Sequence, residues 1–193
     1  MPVGDPWERF NFHVALQQFG PGARHDFGWY FEGESLAPVG SLDELTDWLL
    51  GCEYVHDHAL FHEPDFWQHP RTFEQLRRGD CEDHALWAWR KLVELGYEAD
   101  LVSGRCLPWK PGVKGHERGH VWVIFRRDGE TLLFETAAKT KSRMIRPLGE
   151  ASTEYRPEFG VDHTRRRFAF NGLLETFRDR EFSSPRTSEP RSA

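Results

Sequence analysis

Cys81 stands where a sulfur could act as a nucleophile. It follows Gly79-Asp80 and opens a run to Leu95 in which Ala85, Leu86, Ala88, Trp89, Leu92 and Val93 recur at three and four residues. That spacing predicts one apolar helix face, with Asp80 as its cap and Gly96 as its stop. A thiol on the first turn lies beside unpaired backbone amides and the positive end of the helix dipole. Both favour thiolate, the nucleophilic form. A buried structural cysteine is the ordinary alternative, and Cys52, on an apolar face, reads that way.

A thiolate that attacks an amide carbonyl needs a base to hold and return a proton. His120 stands in Gly119-His120-Val121-Trp122-Val123. Two apolar runs, His120 to Phe125 and Thr131 to Thr136, flank Asp128-Gly129, a type I′ hairpin signal. With that turn, Trp122 faces Glu135 and His120 faces Ala137. Glu135 is then a same-face diagonal neighbour of His120, within reach of a long side chain. A carboxylate there would orient the imidazole and stabilise its cation. An ordinary solvent-facing strand glutamate is the alternative for Glu135 alone; the three groups arriving together favour catalysis.

These residues also carry a family resemblance. Gly79-Asp80-Cys81-Glu82-Asp83-His84-Ala85 resembles the nucleophile motif of the transglutaminase-like superfamily, closest to its bacterial cysteine proteinases. Gly119-His120-Val121-Trp122-Val123 is similar to the family's histidine motif, and Leu132-Leu133-Phe134-Glu135 occupies the place of its carboxylate motif. The similarity spans roughly residues 65 to 140, and the family has aspartate where this chain has Glu135. It implies an α+β, papain-like fold with the catalytic helix packed against an antiparallel sheet. It further implies a cysteine peptidase, amidase or acyltransferase working through a thioester, with Cys81, His120 and Glu135 as the catalytic residues. A catalytically degenerate scaffold that binds protein is the alternative.

The Cys81 backbone amide can supply one oxyanion donor. The resemblance suggests Trp67 or Gln68 for a second, though Trp67 also suits core packing. No cofactor is expected beyond a calcium ion, which the resemblance allows near Asp80, Glu82 and Asp83, three hard oxygen donors. Those acids suit a helix start without any metal.

The elements that must position these groups are legible in outline. Ser41-Leu42-Asp43-Glu44 is a capping box for a helix whose Leu42, Leu45, Leu49 and Leu50 share a face. A short helix is expected over Thr72–Arg78, broken by Gly79, and a strand over Tyr97–Val102. A Gly-bearing loop from Ser103 to Arg118 follows, suited to form one wall of a substrate groove. A strand is expected at Arg167–Phe170, then an apolar segment at Leu173–Phe177. Residues 1–40 read as an irregular segment packed on the body, 41–182 as the domain proper, and 183–193 as a disordered tail.

Composition bounds the remaining classes. The 193 residues are 38% hydrophobic and 29% charged, enough apolar material for one globular domain. A net charge of −6 excludes a generally basic nucleic-acid binder; Lys139, Lys141, Arg143 and Arg146 read as a solvated stretch. No apolar run approaches the ~18 residues of a membrane span, and the N-terminus lacks a signal-peptide layout. Three cysteines without a close pair suggest reduced thiols. The expectation is a cytoplasmic protein with a protein or peptide substrate and no nucleic-acid or membrane partner. His56, His58 and His62, with His58 and His62 one helical turn apart and Asp57 or Glu63 nearby, could suit zinc. Without an HExxH pattern they read as exposed histidines instead.

Overall fold

In the computed structural model, residues 7, 9–10, 14–107, 117–151 and 153–171 are described. The first half of the chain runs β1 (Arg9–Phe10), α1 (Leu42–Leu50), β2 (Glu53–Tyr54), α2 (Asp57–Leu60), α3 (Pro70–Leu76), β3 (Arg78–Gly79) and α4 (Cys81–Glu94). The second half runs β4 (Ala99–Cys106), β5 (Arg118–Arg127), β6 (Glu130–Phe134), α5 (Lys141–Met144), β7 (Ile145–Pro147), α6 (Leu148–Ala151), β8 (Tyr155–Val161) and β9 (Arg167–Phe170).

The helix ends follow their local chemistry. Ser41 accepts the Glu44 N–H at 3.2 Å, starting α1 as its capping pattern predicts. Leu45 and Leu49 are buried and Leu42 packs beside them, but Leu50 is 36% exposed, so the apolar stripe is narrower than expected. The α3 helix lies earlier than Thr72–Arg78, because Pro70 supplies a pre-set first residue and Arg77 turns left-handed at φ 52°. The Arg77 guanidinium donates to the Trp48 carbonyl at 2.9 Å and lies over the Trp48 ring, which holds that turn.

Seven strands form one antiparallel sheet in the order β1-β9-β8-β4-β5-β6-β7. Asp128 and Gly129 both have positive φ, 53° and 80°, as a type I′ turn requires. The β5–β6 register, Val123↔Phe134 to Arg127↔Glu130, is the one that turn dictates. The expected loop from Ser103 is corrected, since Ser103–Cys106 continue β4 and pair with both β5 and β8. Gly104 serves close strand approach, because a Cβ there would sit 2.2 Å from the Arg156 carbonyl. The register with β8 slips beside it, a bulge. The rest of that loop (108–116), the apolar segment 173–177 and the tail 183–193 lie outside the described residues.

Alternation along the strands sorts side chains into two clusters. Val121, Val123, Phe125, Leu132 and Phe134 join Ala85, Trp89 and Leu92 of α4 in the larger one. Val102, Trp122, Ile124, Leu133, Phe168 and Phe170 make the smaller one with Ala151. The chain is therefore α+β, with the cysteine-bearing helix packed against an antiparallel sheet in a papain-like layout. Ahead of α1, Phe19, Phe27 and Tyr30 add to the larger cluster. Arg90 of α4 anchors that segment by donating to the Tyr30 and Glu32 carbonyls, each at 3.2 Å. Among the described residues no helix is long and apolar enough to cross a membrane.

Gly79 is the tightest point between β3 and α4. A Cβ there would lie 2.3 Å from Asp83 Oδ2 and 2.5 Å from Gln68 Nε2. Gly79→Ala should cost about 1–3 kcal/mol, the scale of overpacking a filled site. Gly149→Ala, with open space around its Cβ, should be neutral or gain up to about 1 kcal/mol. Urea denaturation of the two variants checks both signs.

Candidate functional site

The start of α4 is fixed from beneath by a buried carboxylate. Asp83 Oδ1 accepts the Gln68 backbone N–H at 2.9 Å, and its Oδ2 accepts the Gln68 side-chain amide at 2.5 Å and the Asp80 N–H at 3.3 Å. Asp83 at the third helical position thus reaches back to the residue before the helix, as in a capping box. Cys81 follows as the first helical residue. His84, one turn on, binds the Asp80 carbonyl through Nδ1 at 2.7 Å. Burial pushes its pKa down to about 4, which makes it a neutral packing residue.

His120 lies on β5, and β5 pairs with β6 only from Val123 onward. Glu135 stands one residue past the end of β6; its N–H donates to the Met144 carbonyl at 2.7 Å. The diagonal contact expected from the turn is present, with His120 Nε2 2.7 Å from Glu135 Oε2. Nδ1 is the ring nitrogen left over for proton transfer. The Trp122 ring stacks on the imidazole with centroids 6.1 Å apart.

Two tyrosines complete this part of the site and escaped the sequence reading. Tyr155 of β8 donates its hydroxyl to Glu135 Oε2 at 2.7 Å, and the Ala137 N–H donates to Oε1 at 3.1 Å. Burial disfavours the Glu135 charge, but the His120 charge and these three bonds outweigh it and hold the carboxyl below its usual range. Burial, then the Glu135 charge, keeps the Tyr155 hydroxyl protonated. Tyr54 of β2 lines the cleft beside Cys81. Neither tyrosine lies in a motif; only the pairing of β8 with β4, far off in sequence, brings Tyr155 here.

The thiol departs from expectation. Cys81 Sγ donates to Glu82 Oε2 at 3.2 Å, and no hydrogen bond joins it to His120. Burial, then the charges of Glu82 and Asp80, pushes the Cys81 thiol well above its usual range. The helix dipole alone would lower it, so in this arrangement the neighbouring acids override the dipole.

Those acids are themselves crowded. Asp57, Asp65, Asp80, Glu82 and Asp83 supply three groups whose ligand oxygens lie within 4.8 Å of one another, one of them sharing the Cys81 sulfur. Burial, then the hydrogen bond and charge of Asp80, holds Glu82 well above the carboxylate range; burial holds Asp83 there too, against the two Gln68 bonds that oppose it and with the charges of Asp80 and Asp57 adding to it. Asp57 Oδ1 and Asp80 Oδ1 are buried without a hydrogen-bond partner. Asp57 and Asp65 enlarge the set of acids expected from sequence. None of these groups contains a histidine: α2 ends at Leu60 and His62 is left-handed at φ 60°, so His58 and His62 do not share a helix face as zinc would require.

The upstream oxyanion candidates divide. Trp67 lines the cleft but is buried against Phe19 and Phe27, its indole N–H given to Asp65 at 3.1 Å. Gln68 spends its side-chain amide on Asp83 and on the Arg78 carbonyl at 2.8 Å; it supports the helix start instead of facing the cleft. The Cys81 backbone amide remains the available donor.

The cleft has two halves that meet at Asp80, Cys81, Gly119 and His120. One, of about 440 Å³, is walled by Gln17, Gln18, Asp57, Asp65, Glu82 and Glu158. The other, of about 620 Å³, is walled by Tyr54, Leu107, Arg118, Lys139, Arg146 and Tyr155. Ser103, Gly104 and Arg105 do form part of the first wall, as expected of the groove, but as strand residues.

The chain matches no protein-family model and no curated protein. Among solved structures it is similar to calcium-bound Legionella pneumophila LapG, with 19% identity over 70% of this chain and 71% of that one and a TM-score of 0.47. The EGTA-treated form of LapG gives the same identity and TM-score over 69% of each chain. A cysteine-protease candidate from Cytophaga hutchinsonii is similar at 14% identity, with a TM-score of 0.39, over 70% of this chain and 43% of that one.

Two neighbouring glutamates should respond oppositely to neutralisation. Glu135, held below its ordinary value of 4.5, stabilises the fold above that pH and loses the effect as pH falls through its folded value. Glu135→Gln should therefore cost about 1.5–3 kcal/mol at neutral pH, the range for bonds to charged groups, and progressively less in acid. Glu82, held above 4.5, stabilises fully below that pH and loses the effect as pH rises. Glu82→Gln should gain on the parent chain with rising pH. Thermal unfolding in EDTA from pH 4 to 8 separates the two.

Proposed function

We propose that the chain is a cysteine hydrolase or acyltransferase acting on an amide or peptide bond through a thioester. The observation that carries this reading is the His120–Glu135 pair at 2.7 Å opening on the same cleft as Cys81. The Cys81 thiol leaves Glu82 and gives its proton to His120 Nδ1 as Sγ bonds to the substrate carbonyl carbon. The Cys81 N–H at the helix start stabilises the oxyanion that forms. His120 then passes the proton to the leaving nitrogen as the C–N bond breaks, leaving a thioester on Cys81. Water attacks in hydrolysis, or an amine in transfer; His120 takes its proton and returns it to Sγ as the thioester opens. Glu135, with Tyr155 behind it, orients the ring and balances the imidazolium charge.

The protonated thiol facing Glu82 favours a second reading, a catalytically silent scaffold that binds peptide. Alkylation of Cys81 by iodoacetamide, resolved by peptide mapping across pH, decides between them. On the enzyme reading, His120→Ala slows alkylation at neutral pH by about a hundredfold, the low end of base assistance, and Glu82→Gln moves the titration to lower pH. A rate indifferent to His120 supports the scaffold instead.

We also infer that the acids under α4 suit a calcium ion. Asp57, Asp65, Asp80, Glu82 and Asp83 are hard oxygen donors, and the partnerless buried Oδ1 atoms of Asp57 and Asp80 are what a cation would satisfy. Bound there, the ion supplies positive charge that offsets the carboxylates beside the nucleophile. Calcium at about 100 times its dissociation constant should stabilise the fold by about 2.7 kcal/mol. The gain should be reversed by EDTA and lost in Asp57→Asn/Asp80→Asn; an unchanged melting temperature would sink the assignment.

A further inference from the structure

The two halves of the cleft offer different groups to a peptide, and that asymmetry says what kind fits. Around Cys81, the half beside Gln17 presents the carboxyl groups of Asp57, Asp65, Glu82 and Glu158. The one arginine or lysine lining it among the described residues, Arg105, is already paired with Glu158 at 3.1 Å. In the other half, Arg118 and Lys139 are exposed, and neither forms an ion pair among the described residues. Lys139 Nζ lies 5.6 Å from the Tyr54 ring centroid, a cation–π contact that holds the ammonium beside the pocket. Among the described residues two carboxyl groups line that half: Glu135, committed to His120, Tyr155 and the Ala137 N–H, and Asp80, shared with the other half at the cysteine; neither forms an ion pair with Arg118 or Lys139. Tyr54, Leu107, Ala137 and Ala138 give the same half apolar walls, next to which a charge pair is less screened than in open solvent.

Building on the hydrolase reading, we propose that this half of the cleft receives a carboxylate of the peptide substrate, held by Arg118 and Lys139 beside the scissile bond. The carboxylate is an aspartate or glutamate side chain or the terminal carboxylate of a chain. In the opposite half the same group would meet the carboxyl groups of Asp57, Asp65 and Glu82 and, among the described residues, no unpaired arginine or lysine. The cleft therefore also fixes the direction in which an acidic peptide lies across Cys81, by attraction on one side that the other side does not offer.

Binding to the Cys81→Ala chain, which cannot turn a peptide over, tests this by calorimetry with two pairs of probes. One pair is an N-acetylated, C-amidated alanine pentapeptide with central glutamate or glutamine; the other is N-acetyl-trialanine as free acid or amide. We expect an acidic member to bind about fivefold more tightly than its neutral partner, the upper range of a partly exposed charge pair, and less so in 0.5 M salt, where the screening length falls to a few ångströms, about 3–5 Å. The pair that shows the difference identifies the source of the carboxylate. Arg118→Gln/Lys139→Gln in the same background should abolish the preference and leave the neutral peptides unchanged. Acidic probes that bind no better than neutral ones, or a preference that survives the double variant, would overturn the proposal. The hydrolase reading stands or falls separately, on the dependence of Cys81 alkylation on His120.

Discussion

One buried carboxyl group, Asp83, fixes where Cys81 stands. It gathers the backbone and side chain of Gln68 and the N–H of Asp80, and Gln68 in turn donates to the Arg78 carbonyl, so the segment leading into α3, β3 and the start of α4 form one joint. Loosening any of these bonds would let the first turn of α4 drift, and with it Cys81. The joint also explains the residues around the cysteine. Position 79 must be glycine because Asp83 and Gln68 fill the space of a Cβ, and Asp80 is held between its own N–H bond and the imidazole of His84 on its carbonyl.

The His120–Glu135 pair is built by a different principle. His120 and Glu135 come from the ends of two hairpin strands, brought together by a two-residue turn whose positive φ angles allow one register. Here burial strengthens the design. A partly buried glutamate that faces the His120 charge and accepts three hydrogen bonds is held toward its charged form, and in turn fixes the imidazole. Beside Cys81, burial and the neighbouring acids have the opposite result, and Glu82 is driven toward its neutral form. Two glutamates within one site are thus pushed in opposite directions chiefly by the charges each faces.

How much of this the sequence disclosed depends on the range of the interaction concerned. The start of α4, the capping of α1 and the His120–Glu135 diagonal rest on residues close in sequence or on a turn that dictates register, and they were legible. Tyr155 and Tyr54 were not, because β8 and β2 reach the site through pairings no local pattern encodes. β8 itself hides behind Pro157 and Gly160, residues that ordinarily argue against a strand. Gly104 misled for a related reason: a glycine that admits a neighbouring strand looks, in one dimension, like a glycine that loosens a loop. For the Cys81 thiol the helix dipole is legible in the sequence, and so are its neighbours Asp80 and Glu82; the burial that leads the opposing effects comes from the tertiary packing around it.

That last conflict joins the two parts of the proposed function. The acid that holds the helix start in place, Asp83, sits within three residues of those that disfavour charge on the sulfur, Glu82 and Asp80. Glu82 at 3.2 Å is both the thiol's partner and its main electrostatic opponent after burial. Under the proposed chemistry the thiol must exchange this partner for His120, and the exchange becomes easier once the cluster's charge is offset, whether by protons shared among the acids or by a bound cation. A proton neutralises one carboxyl at a time and leaves the rest to repel; a divalent ion bridging several answers all of them together. The geometry therefore couples nucleophile and acid cluster in one electrostatic balance. Asp83 holds the helix start on which Cys81, Asp80 and Glu82 all stand.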